Sequence, residues 1–140
     1  MRKGFTIIEL IVVIAIIAVL AAIVLINITI YINRGKDSAI IQNMETIFIG
    51  LASYFAEYYK YTDFQGDSRY IIPRDAIVKI LNGTALTPSL KPITNDHFCV
   101  CAPLKTVADN SYCIDDSGYK KQSVNVGGCG ARCVSGVCSD

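Results

Sequence analysis

Phe5 to Ile26 is a run of 22 residues in which Glu9 is the only charge. A helix of that length rises about 33 Å at 1.5 Å per residue, enough to cross a hydrocarbon core of roughly 30 Å. The run therefore reads as a membrane-spanning helix. An ionisable group inside such a helix costs on the order of 3 kcal/mol at the bilayer centre and less near its edge, so Glu9 marks a function rather than a filler position.

A cleaved secretory signal is the rival reading of this end. Its apolar core is usually shorter, about 7–15 residues, and precedes a small-x-small cleavage site. The nearest such site, Val19-Leu20-Ala21, lies inside the run, and cutting there would leave Ala22 to Ile32 as an apolar new terminus. The charged leader Arg2-Lys3 ends instead at Gly4.

The string Lys3-Gly4-Phe5-Thr6-Ile7-Ile8-Glu9-Leu10 ahead of an apolar helix resembles the class III signal of type IV pilins and type II secretion pseudopilins. The resemblance covers about 26 residues well and the remainder in outline. It implies that a membrane prepilin peptidase cuts after Gly4 and that the new first residue, Phe5, is N-methylated. Glycine presents no side chain to a peptidase at the membrane face, and Arg2 and Lys3 hold the leader on the positive-inside side. After such a cut Glu9 lies in the first helical turn, where a carboxylate interacts favourably with the helix dipole. The resemblance implies a second role, in which Glu9 pairs with the N-terminal amine of a neighbouring subunit and two charges in an apolar setting are neutralised together.

The rest of the chain reads as one small exported domain. Its 140 residues leave room for a single domain beyond the anchor, and the 52% hydrophobic content is inflated by that anchor. All six cysteines (Cys99, Cys101, Cys113, Cys129, Cys133 and Cys138) fall after residue 98, which places this end in an oxidising compartment. Arg34 and Lys36 flank the far end of the run as Arg2 and Lys3 flank the near end, so the cysteines rather than the basic residues orient the helix. Removing Arg2 and Lys3 takes 13 basic against 12 acidic residues to a formal −1 before termini, with no basic stripe. A broad nucleic-acid-binding face has no support in this composition.

Ile40, Met44, Ile47, Leu51, Phe55 and Tyr58 recur at three- and four-residue spacing opposite Gln42, Thr46, Ser53, Glu57 and Lys60, the pattern of an amphipathic helix packed on a sheet. No proline precedes Pro73, so one helix is expected from Phe5 to about Tyr61, with a dip at Asn33-Arg34-Gly35. Major pilins often carry a helix-breaking glycine and proline within the anchor; here the matching positions are Ala18 and Ile26, which predicts an anchor that stays helical. Tyr54, Tyr58, Tyr59 and Tyr61 close the helix as an aromatic cluster for core and interface packing. A loop follows, then a short helix from Pro73 to Leu81 stopped by Asn82-Gly83.

Strand character begins at Phe98-Cys99-Val100-Cys101 and returns at Ser111-Tyr112-Cys113-Ile114, and Asp115-Asp116-Ser117-Gly118 turns into Tyr119–Ser123. The segment Tyr112–Lys121 also resembles the C-terminal hairpin of small pilin heads. Six cysteines allow 15 pairings. Cys99 and Cys101 on one strand share a face without facing each other, so each needs a distant partner, and the tail, poor in apolar residues, should be stapled to the sheet. Structural zinc is the alternative, though the cluster lacks a CxxC pair. Asp115-Asp116 reads as a solvated turn, with calcium as its rival; His97 reads as a structural histidine, because no base-orienting constellation accompanies it.

The expected fold is α+β: a long N-terminal helix, spanning the membrane in its first half and amphipathic in its second, packed on a small antiparallel sheet with a disulfide-stapled tail. The expected division is a leader over 1–4, a transmembrane or filament-core helix over 5–32, and an exported head over 33–140. By resemblance the chain is a non-enzymatic pilin without cofactor or resident metal. It would be stored in the inner membrane with its C-terminus outside and polymerised into a helical homo-oligomer by an assembly ATPase and platform protein. The other reading is a minor pilin or pseudopilin, acting as a tip binding module or within a type II secretion pseudopilus.

Overall fold

A computed structural model describes residues 4–82, 89–90, 97–124, 127–134 and 136–139, with backbone alone at 25–27, 89–90 and 134. The fold is α+β. Helix α1 spans Ile7–Tyr58, and α2 spans Ser68–Ile80. Four strands follow, β1 (Ser89–Leu90), β2 (Cys99–Pro103), β3 (Asn110–Asp115) and β4 (Lys120–Val124). A short helix α3 (Cys129–Arg132) leads into a small hairpin of β5 (Cys133–Val134) and β6 (Val137–Cys138). The chain forms two compact units, Met1–Asn33 and Arg34–Asp140.

In the first unit every described side chain from Phe5 to Val24 is exposed within the single chain. The backbone is helical at Ala18 and Ile26, as their ordinary helix propensities require, and it remains helical through Asn33-Arg34-Gly35. By length and composition this part of α1 is able to cross a membrane.

In the second unit the amphipathic stripe of α1 forms the core. Ile40, Met44, Ile47, Leu51 and Tyr54 are buried, following the alternating four- and three-residue steps of one helix face. The stripe ends at Tyr54, not at Tyr58 as the periodicity suggests. Phe55 is only half-buried and Tyr58 is 48% exposed, because the helix stops there and Tyr59 turns the chain with a left-handed φ of 54°. Tyr61 re-enters the core, stacked on Phe55 at 4.6 Å and edge-on to Phe98 at 4.9 Å.

Helix α2 starts five residues before the expected Pro73. The side chain of Asp67 accepts from the Arg69 N–H and caps it, and Pro73 lies inside. A proline there removes one helical hydrogen bond, but it is buried on the same face as Tyr70 and Ile77, so packing offsets the loss. At the other end Asn82 takes the left-handed stop at φ 60°, while Gly83 lies outside the described residues. Gly50 lets the helices approach closely: a Cβ there would lie 3.0 Å from Arg69 Cβ and 3.2 Å from Arg69 O.

The four strands are antiparallel in the order β1-β2-β3-β4. Both faces of β2 and β3 are buried, which departs from a sheet with one wet face. Val100, Ala102, Tyr112 and Ile114 point into the core with α1, whereas Cys99, Cys101 and Cys113 point to the opposite face, where the tail packs. The tail is thus a second covering layer.

Candidate functional site

Two places carry the residues that the sequence singles out. At the start of α1, Thr6 and Glu9 form a reciprocal cap. Glu9 Oε2 accepts from the Thr6 N–H and from Thr6 Oγ1, each at 2.9 Å, and Thr6 Oγ1 accepts from the Glu9 N–H at 3.3 Å. Thr-x-x-Glu is the capping-box pattern, which satisfies helix donors that otherwise lack partners. The motif around Glu9 thus includes Thr6 as its capping partner, a role whose one sequence signal is the three-residue spacing between them. Gly4 and Phe5 precede the helix as exposed, non-helical backbone, and nothing lies within 4 Å of the position a Gly4 Cβ would take. Arg2 and Lys3 lie outside the described residues.

The second place is the stapled tail. The disulfides are Cys99–Cys133, Cys101–Cys129 and Cys113–Cys138, with Cα separations of 5.7, 5.4 and 6.1 Å. All three join the tail to the sheet. Each closes a span of 25 to 34 residues, worth about 3–4 kcal/mol in the chain-entropy description. Because these sulfurs are bonded to one another, they hold no thiolate for zinc.

Asp115 corrects the expectation of a solvated turn. It is fully buried: Oδ1 accepts from Ser117 N, Ser117 Oγ and Tyr119 N, and Oδ2 accepts from Cys138 N at 2.8 Å. Four donors engage its lone pairs, so it ties the turn to the end of the tail rather than waiting for calcium. Its neighbour Asp116 lies 2.8 Å from His97 Nδ1 and accepts from the Phe98 N–H, fixing the entry to β2.

Arg132 is also buried, and nothing in its sequence context announces it. Its guanidinium donates to the carbonyls of Ser111, Lys121 and Ser139 and to Tyr119 Oη, linking β3, β4 and the last residues of the tail. The planar fork with five donors suits such a divided set of acceptors. Asp37, buried near the start of the second unit's helix, accepts from the backbone of Lys105 and Thr106 and from the Thr106 hydroxyl. It fastens the β2–β3 connection to α1.

Residues 1–25 match the family described as the prokaryotic N-terminal methylation motif. No curated protein and no solved structure matches the chain. The motif, the apolar helix behind it and the disulfide-bonded α+β head make this a prepilin-like protein with a class III signal.

Proposed function

We propose that the chain is a structural subunit of a type IV pilus-like filament, stored in the membrane through residues 5–32 and polymerised through the same helix once residues 1–4 are removed. The observation that carries this reading is Glu9, capped by Thr6 inside an otherwise apolar stretch whose described side chains, Phe5 to Val24, are exposed in the single chain. A mere anchor gains only a helix cap from that group, which an uncharged glutamine could supply, whereas a subunit that must be set in register uses the charge itself. Cleavage at Gly4–Phe5 creates an amine one residue before Thr6. Its N-methylated form on a neighbouring subunit would pair with Glu9, whose carboxylate has about four lone-pair sites and uses Oε2 for the cap. Two charges are thereby neutralised together within an apolar environment.

Prepilin peptidase, an assembly ATPase and a platform protein are the partners this reading requires, and the head, residues 33–140, would face outward. Mass spectrometry of sheared surface filaments tests it. A subunit beginning at N-methyl-Phe5, about 14 Da heavier than the unmodified sequence, and dominating the fibre supports the proposal. A scarce subunit would instead fit a minor pilin at the tip, and absence from fibres with a role in secretion would fit a pseudopilin. A mature N-terminus at Met1 or Ala22 overturns the processing step.

A further inference from the structure

Cys99, Cys113 and Cys138 bring their sulfurs together in the head, all within 4.8 Å of one another. Cys99 Sγ, half of the Cys99–Cys133 bond, sits 3.5 Å from both sulfurs of the Cys113–Cys138 bond. In the tail hairpin Cys133 and Cys138 are direct cross-strand partners. Cys101 faces Cys113 across β2 and β3, but its sulfur does not join this trio, and its bond to Cys129 is the third staple.

We propose that these four cysteines form a thiol–disulfide exchange site that lets an external thiol, small or carried by a disulfide-isomerising protein, re-pair the tail without net reduction. The two tail cysteines are the entry points, Cys133 at 4% and Cys138 at 7% exposed, while Cys99 and Cys113 are fully buried. An external thiolate attacks Cys133 Sγ; the new mixed disulfide forms, the Cys99–Cys133 bond breaks, and its electron pair leaves on Cys99. The Cys99 thiolate is already in contact with the second bond. It attacks Cys113 Sγ, Cys99–Cys113 forms, and Cys138 leaves as a thiolate. Cys138 then attacks Cys133 across the hairpin, Cys133–Cys138 forms, and the external thiolate is returned. Two disulfides exist before and after, as exchange chemistry requires.

The product differs in what it holds. Both original bonds join tail to sheet, whereas the new ones run within the sheet and within the tail. Cys101–Cys129 is then the one covalent tie of the covering layer, and beyond it only hydrogen bonds such as Cys138 N–H to Asp115 hold the end of the tail, which becomes releasable. The site is a latch.

The test is a pair of variants followed by non-reducing peptide mapping. Oxidised Cys133→Ser is held at pH 8 without added thiol and then alkylated. The label should divide between Cys99 and the residues Cys113 and Cys138, whereas in Cys129→Ser it should stay on Cys101. Label on Cys99 alone in the first variant overturns the proposal, as does equal scrambling in both, which would mean that the contact of Cys99 with the second bond does not select the exchange. Should Cys133→Ser fail to fold, wild-type protein treated with substoichiometric glutathione decides the matter. Peptides joined through Cys99–Cys113 and Cys133–Cys138, with Cys101–Cys129 retained, are expected, and a map of the three original bonds alone overturns it.

Discussion

Tyr112 donates its phenolic hydrogen to Glu45 at 2.5 Å, although 67 residues separate them in the chain. Lys120 donates to the other oxygen of the same carboxylate at 2.9 Å and lies 4.4 Å from the Phe48 ring centroid. Helix α1 and strands β3 and β4 therefore meet at one polar junction beside the apolar core. Partial burial pushes the Glu45 carboxyl up, but the hydrogen bonds from Lys120 and Tyr112 and the Lys120 charge outweigh it and hold the group below its ordinary value. Burial, then the bond to Glu45, pushes the Tyr112 phenol up.

The junction predicts how stability depends on pH. A carboxylate with a depressed folded pKa contributes stability above its unfolded pKa and loses it as pH falls through the folded value; a phenol with a raised pKa contributes below about pH 10 and loses it as pH rises further. The melting temperature of the wild-type head should fall more steeply than that of Glu45→Gln on acidification below about pH 4.5. Parallel curves for the two proteins would remove Glu45 from the acid response.

A second acid-sensitive point lies at the start of α2. Side-chain and backbone hydrogen bonds from Arg69 hold the Asp67 carboxyl down at about 2. The same sign argument places loss of this cap between about pH 4 and pH 2. Asp67→Ala should flatten that part of the melting-temperature profile and lower the plateau above it, read by calorimetry across the range.

Two glycines of one helix should respond in opposite senses. Gly35 is exposed and has nothing within 4 Å of an added Cβ, so Gly35→Ala should stabilise by up to about 1 kcal/mol through helix propensity. Gly50→Val places carbon against Arg69 and, at 3.4 Å, Phe64, and should destabilise by about 1–3 kcal/mol from overpacking. Urea midpoints measured side by side check both, and equal shifts would contradict the close approach of α1 and α2.

Arg132→Met should cost about 1–3 kcal/mol, because the carbonyls of Ser111, Lys121 and Ser139 lose a buried donor while the volume is roughly kept. Arg132→Lys should recover only part of this, since a point charge on a flexible stem cannot reproduce the fork. Hydrogen exchange should show the loss concentrated in residues 129–139, with α1 little changed.

For assembly, Glu9→Gln separates charge from cap. Glutamine serves at the third position of a capping box, so the helix start should be retained while the charge for a neighbour's amine is lost. Membrane insertion should stay intact and sheared filament yield should fall by at least about tenfold, the equivalent of roughly 1.4 kcal/mol per subunit contact. Thr6→Val, which keeps the charge and removes the hydroxyl, should assemble better than Glu9→Gln. The reverse order would assign Glu9 to helix capping alone.

Elements whose signal is local are legible in the order of the amino acids. The apolar run from Phe5 to Ile26 with its single carboxylate, the four- and three-residue steps from Ile40 to Leu51, and the alternation of Cys99, Val100 and Cys101 each state a period that only one backbone geometry satisfies. The same order also required distant partners for Cys99 and Cys101, because neighbours on one strand face cannot meet. Tertiary packing settled which partners those are, where α2 begins, that Asp37, Asp115 and Arg132 act from within, and that Glu45 acts from the edge of the core. Their donors and acceptors come from segments up to 75 residues away, and an isolated polar side chain carries no mark of the group that will meet it. Pro73 shows the same limit in reverse: local preference places it at a helix start, and burial with Tyr70 and Ile77 keeps it inside, since packing energy summed over a face exceeds the loss of one hydrogen bond.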